Sequence, residues 1–263
     1  MPYFFFILSL FFLNHALAIP VGNPYNPGIL GKGLLIPSDN WINFRVEYLG
    51  NFVTDRRLMQ AARGAGKVDC FSQYTNSGSL TLNIKERVDI YGTCGVGNIS
   101  GKWRVKNLGV TSWVKAKSNS HYTWTIGTNI ILLEWKKTCL GFNISYMEME
   151  PALKLLTIDN VLGNVSNAGF HYHEWQGAIG VARRIKFLIP YIGIQYTSVE
   201  CIVDSPYTPS IAPNYSTTNH FKSKNHAGVY LGCAISNGNI FFLNIEARLV
   251  DEEAMTVTAD FRF

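Results

Sequence analysis

The closing stretch Glu253-Ala254-Met255-Thr256-Val257-Thr258-Ala259-Asp260-Phe261-Arg262-Phe263 alternates between apolar and polar side chains. The apolar phase consists of Met255, Val257, Ala259, Phe261 and Phe263, and the polar phase of Thr256, Thr258, Asp260 and Arg262. Successive side chains of a β-strand point to opposite faces, so a period of two predicts a strand with one apolar and one polar face.

The same alternation recurs in three other stretches of the chain. It runs from Ile42 to Phe52, from Leu80 to Tyr91, where only Glu86 interrupts the apolar phase, and from Phe241 to Leu249. Strands of about 9–11 residues with this pattern are long enough to cross a bilayer. The patterns predict an all-β fold, an antiparallel transmembrane β-barrel of about 10 strands, with more strands possible.

The remaining strands follow from weaker alternation and from turn residues. We predict ten strands at 41–53, 79–91, 102–114, 121–134, 138–149, 169–183, 187–200, 226–236, 239–250 and 253–263. Long loops are predicted near 54–78, 150–168 and 201–225, and Asn237-Gly238 is a strong hairpin signal. An even strand count places both ends of the barrel on the periplasmic side.

Composition and the N-terminus favour an exported membrane protein. Only 16% of the 263 residues are charged, against about a quarter in soluble domains, and the mean hydropathy is +0.06. Residues 1–18 resemble a signal peptide, with small residues at Ala16 and Ala18 before a mature start at Ile19. Residues 19–40 are predicted to be irregular, and 41–263 to form the barrel.

Two further features separate a membrane barrel from a soluble β-sandwich, which also alternates. Aromatic residues recur near strand ends, where they suit membrane interfaces; they are Trp41, Tyr48, Tyr91, Trp124, Trp135, Tyr146, Trp175, Tyr191 and Tyr196. The ending with Phe261 and Phe263 resembles the assembly signal of bacterial outer-membrane proteins.

Five cysteines lie in the predicted mature chain, where an oxidising compartment permits disulfides. The candidates are Cys70, Cys94, Cys139, Cys201 and Cys233. An odd number leaves at least one free thiol or an intermolecular bridge, and any single cysteine is alternatively a small apolar residue. None of them forms a C-x-x-C motif, which argues against a zinc ribbon.

The polar phase of the strands supplies the candidate functional residues. Pore-lining positions are predicted at Arg45, Glu47, Lys85, Arg87, Asp89, Glu246 and Arg248. The alternative for each is a paired or solvated lumen charge without a selective role. The formal charge of +5 favours anions weakly, if the excess faces the lumen.

Other motifs carry less weight. His171 and His173 share one face of a predicted strand and could bind a metal, but a hydrated strand end explains them more simply. We therefore predict no metal and no cofactor. There is no phosphate-binding loop and no basic stripe typical of nucleic-acid binding.

Several collinear blocks resemble the chlamydial major outer membrane protein family. They include the predicted mature start Ile19–Pro24, the strand Phe44–Arg56, and the stretch Leu80–Tyr91. Shorter blocks are Leu133–Trp135, Cys139–Gly141, Glu174–Gln176, Pro190–Gly193, Glu246–Glu252 and the Phe-Arg-Phe ending. The chain would be a short member of this family from a chlamydia or a chlamydia-like bacterium.

The resemblance implies a trimeric porin in outer-membrane lipid, linked to other envelope proteins by disulfides, with Cys139 as the best candidate for cross-linking. The expected function is passive diffusion of small hydrophilic solutes and ions, without enzymatic activity. A ten-strand barrel has a narrow lumen, however, because interior width grows with strand number. The alternative is therefore a structural or adhesive coat protein with a closed or incidental pore. A barrel hydrolase is a weaker alternative, because the sequence shows no recognisable nucleophile–base constellation.

Overall fold

A computed structural model describes residues 19–30, 41–61, 66–107, 110–204, 220–236, 238 and 240–262. The predicted signal peptide, residues 31–40 and Phe263 lie outside the described residues. The strands are β1 (Ile42–Arg56), β2 (Leu58–Gln60), β3 (Val68–Ile84), β4 (Val88–Asn107), β5 (Val110–Ser118), β6 (His121–Trp135), β7 (Thr138–Met149), β8 (Leu153–Ile158), β9 (Val161–Leu162), β10 (Phe170–Arg183), β11 (Leu188–Val203), β12 (His220–Ser223), β13 (Ala227–Ser236), β14 (Phe241–Leu249) and β15 (Glu252–Arg262). One short helix, α1 (Asn26–Ile29), precedes them.

Ten of these strands close into an antiparallel barrel. They are β1, β3, β4, β6, β7, β10, β11, β13, β14 and β15, and each pairs with its neighbours in chain order. The first and last strands close the ring, with Arg45 opposite Arg262 and Asn51 opposite Thr256. The predicted fold class is confirmed. Every barrel strand is hydrogen-bonded on both sides, which leaves no open sheet edge around the barrel.

The alternation in the sequence separates the inside of the barrel from the outside. Along β1, Phe44 is 45% exposed and Arg45 is 2% exposed. The same division holds along β14 and β15, where the apolar phase faces outwards and the polar phase is buried. Apolar residues on the outside and polar residues inside are typical of a barrel in lipid. None of the described helices is long and apolar enough to span a membrane.

The two ends of the barrel differ. Residues 85–87, 136–137 and 184–187 connect strands at the end where β1 begins and β15 finishes, which we call the turn end. The opposite loop end carries the longer connections. There β5, β8 and β9 extend the sheet beyond β4, and β2 and β12 pair with each other beside β11.

Two predicted strands are wrong, although the number of barrel strands agrees. The stretch 79–91 contains the turn at 85–87, and the stretch 102–114 spans the end of β4 and the start of β5. Most of the predicted loop at 54–78 is strand, because β1 continues to Arg56 and β3 begins at Val68. The error arose because Lys85-Glu86-Arg87 was taken as part of a strand, whereas Lys85 and Glu86 adopt positive φ angles.

An outer girdle of aromatic side chains marks where the apolar belt finishes towards the loop end. The ring centroids of Trp124 and Tyr146 are 5.5 Å apart, and those of Tyr146 and Trp175 are 4.6 Å apart. Tyr196 and the exposed Tyr122 complete the girdle. Strand residues beyond these rings, towards the loop end, lie outside the hydrocarbon zone.

Candidate functional site in the barrel lumen

Residues 19–30 lie inside the barrel, and we call this segment the N-terminal plug. The backbone N–H groups of Val21 and Gly22 donate to the two carboxylate oxygens of Glu246, at 3.0 and 2.9 Å. The Asn23 side chain donates to the carbonyl oxygen of Ile189 at 3.1 Å. The plug is therefore tied to β14 and β11 through its backbone and through one amide.

Barrel side chains also bind carbonyl groups of the plug near the turn end. Arg45 donates to the carbonyl oxygen of Asn26 at 2.9 Å, and Arg184 donates to that of Ile29 at 3.2 Å. Asn83 donates to the carbonyl oxygen of Pro27 at 3.0 Å. A one-turn helix cannot pair its last carbonyl groups internally. The barrel wall supplies the missing donors.

Apolar packing holds the same segment against the wall. Val21, Tyr25, Ile29 and Leu30 form a buried cluster with barrel residues. These barrel residues are Ile131, Cys139, Ala178, Ala182, Ile189, Tyr191, Tyr230, Ala234 and Phe242.

Gly141 makes the close approach of the plug possible. A Cβ atom at this position would lie 2.5 Å from the carbonyl oxygen of Pro24 and 2.9 Å from its Cα and Cβ atoms. A backbone oxygen at that distance cannot be moved cheaply, so a larger residue here would displace the plug.

A second cluster, the apolar cap, fills the lumen at and beyond the outer girdle. Phe71 packs edge-on against Phe170 with ring centroids 6.5 Å apart, and Trp103 packs against Phe221 at 5.0 Å. Ile19 of the plug reaches this cluster. The other members are Leu58, Ile99, Val105, Val114, Ala116, Met147, Met149, Leu153, Leu156, Ala168, Tyr172, Val199, Cys201 and Val203.

A small cavity lies between the plug and the wall. A cavity of about 40 Å³ is lined by Glu47, Arg45, Asn244 and Thr258 beside the plug. Such a volume holds a few water molecules, whereas a hydrated solute needs far more. Among the described residues, the plug and the apolar cap occupy part of the lumen, and this cavity lies between the plug and the Ser- and Thr-rich wall formed by β3, β4 and β6.

Arg248 lies at the centre of a buried charge network. Its guanidinium contacts Glu246 at 2.8 Å and Glu252 at 2.7 Å. It also donates to Thr256 at 3.0 Å and to Asn51 at 2.8 Å. Glu246 is the carboxylate that binds the plug, so the network connects the plug directly to the wall.

Two further arginines form buried ion pairs in the lumen, Arg56 towards the loop end and Arg45 towards the turn end. Arg56 pairs with Glu174 at 2.6 Å and with Glu252, which it shares with Arg248. Near the turn end, Arg45 pairs with Asp89 and, at 3.3 Å, with Asp260. Buried charges are tolerated only when they are paired and hydrogen-bonded, and each of these arginines has two carboxylate partners.

Five of the seven predicted pore-lining residues have their side chains in the lumen; they are Arg45, Glu47, Asp89, Glu246 and Arg248. Lys85 and Arg87 do not, because both lie exposed in the turn between β3 and β4. The prediction that these two line the pore is therefore corrected.

The net charge of the lumen also differs from the expected excess. The buried arginines are Arg45, Arg56, Arg248 and Arg262, and the buried carboxylates are Asp89, Glu174, Glu246, Asp251, Glu252 and Asp260. The described lumen is therefore acidic on balance. The condition for weak anion preference, a positive excess in the lumen, is not met.

All five cysteines are free thiols in the structure. Cys139 is 1% exposed beneath the plug and Cys201 is buried in the apolar cap, so neither can reach another molecule in this state. The selection of Cys139 for cross-linking is therefore corrected. Cys94 and Cys233 lie on the outer face of the barrel, and Cys70 lies half-buried near the loop end.

The sequence interpretation missed the plug and the residues at the loop end that meet it. Residues 19–40 were predicted to be irregular, and the described part of this segment, 19–30, contains the short helix α1 and lies inside the barrel, a place that the prediction left open. One signal was available, because Ile19, Val21, Tyr25, Ile29 and Leu30 need burial somewhere. Nothing local indicated that this burial occurs inside the barrel.

The histidines singled out in the sequence bind carboxylates at the loop end. His171 contacts Glu150 at 3.1 Å and Asp204 at 2.8 Å. His173 contacts Glu200 at 3.1 Å, and His220 contacts the other oxygen of Glu200. Among the described residues, no group of three or more histidine, cysteine or carboxylate side chains is arranged to hold a metal ion.

We expect the contact of His171 with the loops to weaken at alkaline pH. His171 lies beyond the outer girdle, and hydrogen bonds with Glu150 and Asp204 raise its pKa above the usual value. Because its pKa is raised in the folded state, the protonated imidazole stabilises the folded loop end. This stabilisation is complete below about pH 6.5 and is lost as the pH rises through the raised pKa. Protection of the Asp204 amide, which donates to the carbonyl oxygen of Gly169 at 2.9 Å, reports the change by hydrogen exchange.

After correction for base-catalysed exchange, this protection should fall with rising pH in the wild type and stay level in His171→Gln. His226→Gln, at another position of the loop end, is the matched control. An equal fall in His171→Gln would contradict the assignment to His171.

Known proteins resemble this chain in sequence. Residues 157–207 match the family model described as Chlamydia major outer membrane protein. A major outer membrane porin of Chlamydia pneumoniae is 24% identical over 370 aligned positions, covering 94% of each chain. The major outer membrane porin of Chlamydia trachomatis serovar F is 24% identical over 374 positions, covering 94% of this chain and 95% of the relative.

Among solved structures, the outer membrane protease OmpT of Escherichia coli superposes with a TM-score of 0.42 at 12% identity, covering 84% of this chain and 96% of OmpT. An outer membrane channel from Pseudomonas putida F1 gives a TM-score of 0.40 at 10% identity, covering 94% and 98%.

A closed ten-strand barrel with an apolar exterior defines a multi-pass β-barrel protein of the bacterial outer membrane. The chain is similar in sequence to the chlamydial major outer membrane porins, which confirms the resemblance seen in the sequence. In such barrels the short turns face the periplasm and the longer loops face outwards.

Proposed function

We propose that the chain is an outer-membrane porin that passes small hydrophilic solutes and ions when the N-terminal plug leaves the lumen. The observation that carries the proposal is the polar lining of the membrane-spanning lumen, where the plug is held by reversible polar contacts such as those from Glu246. The relatives are named porins, and a polar lumen is what a water-filled pathway requires.

The proposed pathway has two barriers of different kinds. The plug occupies the membrane-spanning part, and the apolar cap lies at and beyond the outer girdle, on the ends of strands and on loop-end segments. Solute passage requires both to move. Loop-end segments that connect rather than form barrel strands are expected to move more readily than the wall, because fewer paired strands hold them.

The cap favours a second function, that of a structural or adhesive coat protein with a closed pore. Its buried aromatic residues pack as a core, with Trp103 and Phe221 in direct contact. A coat protein needs only such a stable exterior and its surface loops. We propose no enzymatic role in either case. Trimer formation and disulfide links to envelope proteins stay predictions. Of the three cysteines that are not fully buried, Cys70 lies nearest to the loop end.

Single-channel conductance of the refolded mature chain in a planar bilayer separates the two functions. A porin should give discrete, infrequent steps, because both barriers must open together. The reversal potential in a salt gradient should show cation preference, because the described lumen is acidic on balance. A folded and inserted protein that stays silent, even after the plug is removed, would leave the coat protein as the function.

A further inference from the structure

The sheet extension beyond β4 carries a basic surface that the porin function does not use. Outward-facing positions of β4 and β5 bring basic side chains together, with Lys102 opposite Lys115 and Arg104 opposite Trp113 in the register. Lys106 and Lys117 lie on the same face. We call Lys102, Arg104, Lys106, Lys115 and Lys117, together with Trp113, the basic face.

Few carboxylates neutralise the basic face. Asp69 pairs with Arg104 at 2.8 Å, and Asp159 accepts the backbone N–H of Trp113. Among the described residues, no carboxylate lies within 4.0 Å of the four lysine ammonium groups, since none of them takes part in a described ion pair. Four like charges held on one sheet face attract anions more strongly than scattered charges do.

The basic face continues the lipid-facing surface of the same strand. Ile90 and Val96 of β4 are exposed on the outside, and Val96 lies opposite Tyr122 of the outer girdle. Lys102 follows on that face six residues after Val96, which is about 20 Å along the strand. Its height above the girdle is smaller than this, because barrel strands tilt. Long lysine side chains can reach back towards the interface.

Trp113 contacts two cations of the basic face. The indole is 42% exposed, with the Arg104 guanidinium 4.2 Å and the Lys102 ammonium 4.9 Å from its ring centroid. These cation–π contacts hold both cations against the ring and keep them on the outward face.

We propose that the basic face binds the phosphate groups of a phosphorylated glycolipid in the outer leaflet. Lys117 is the member of the basic face nearest to the outer girdle, because it lies opposite Ser100, four residues or about 13 Å of strand beyond Val96. The face points outwards, and its four lysines have no described carboxylate partner. Phosphates of the adjoining headgroups are the anions that this position meets first. The bound lipid would thereby anchor the sheet extension to the membrane surface.

Binding of bisphosphorylated lipid A to the full mature chain in detergent micelles tests this proposal. In the variant K102Q/K115Q/K117Q, affinity should fall about 100-fold, since each lysine near an anionic surface contributes about fivefold. The control K136Q/K137Q/K186Q removes equal charge from exposed lysines in the short turns at the opposite end and should bind like the wild type. Heat-modifiable migration on gels verifies that both variants fold.

The source of the phosphate is decided in the same assay. Lipid A without phosphates should bind the wild type as weakly as the triple variant binds the phosphorylated form. Unchanged affinity in the triple variant, or after removal of the phosphates, would overturn the proposal. Tighter binding of inorganic phosphate alone, or of a soluble sulfated polysaccharide, would overturn the assignment to a membrane lipid.

Discussion

Deletion of residues 19–30 is expected to expose Cys139 to water in the lumen. The thiol is 1% exposed because plug residues such as Tyr25 and Leu30 pack in its cluster. In a variant whose other four cysteines are serine, a membrane-impermeant maleimide should react with Cys139 at least about 100-fold faster after the deletion, the factor that a local opening free energy of about 3 kcal/mol provides. The barrel strands themselves should remain folded, because none of their pairings involves the plug.

A point substitution tests the same closure without shortening the chain. Gly141→Val places side-chain atoms where Pro24 now lies, so it should displace the plug and accelerate labelling in the same direction. Gly177→Val is the matched control, because a Cβ at that position meets no atom within 4 Å. Slow labelling of Cys139 in a folded deletion variant would show that other residues cover the thiol. The proposed plug would then not be the closure.

The outside of this barrel could be predicted from the sequence because one local rule governs it. Each lipid-facing side chain must be apolar and each neighbour points inwards, so Phe44 and Arg45 report their environments directly. The rule failed where the strands leave the membrane. Outward positions of β3 include Ser72, Asn76 and Gly78, which carry no apolar signal, and the part of that strand before residue 79 was taken for a loop.

The interior could not be predicted in the same way, because its contacts join distant parts of the chain. Val21 and Glu246 are 225 positions apart, and no periodicity relates them. Polar lumen residues were recognised by phase alone, which fixes the direction of a side chain but not its partner. Hence the phase directs the Arg248 side chain inwards, whereas its link through Glu246 to the plug required the structure.

Replacement of Arg248 by methionine is expected to cause the largest loss of stability by a single substitution in the lumen. The side chain is 0% exposed, and its loss leaves Glu246 buried without a cationic partner, whereas Glu252 retains Arg56. Breaking a buried pair by removing one partner costs about 3–5 kcal/mol. Denaturant unfolding of the refolded barrel, followed by tryptophan fluorescence, measures the change in the free energy of unfolding.

A second substitution separates the charge from the lost packing. Gln at position 246 is neutral but still offers an oxygen to the N–H groups of Val21 and Gly22, so R248M/E246Q should regain more than half of the lost free energy. Arg104→Met is the matched control at a partly exposed pair and should cost about 1 kcal/mol or less. If Arg248→Met costs no more than Arg104→Met, the lumen is hydrated enough to screen Glu246. Water would then already reach the contact that holds the plug, and closure would depend on the apolar cap alone.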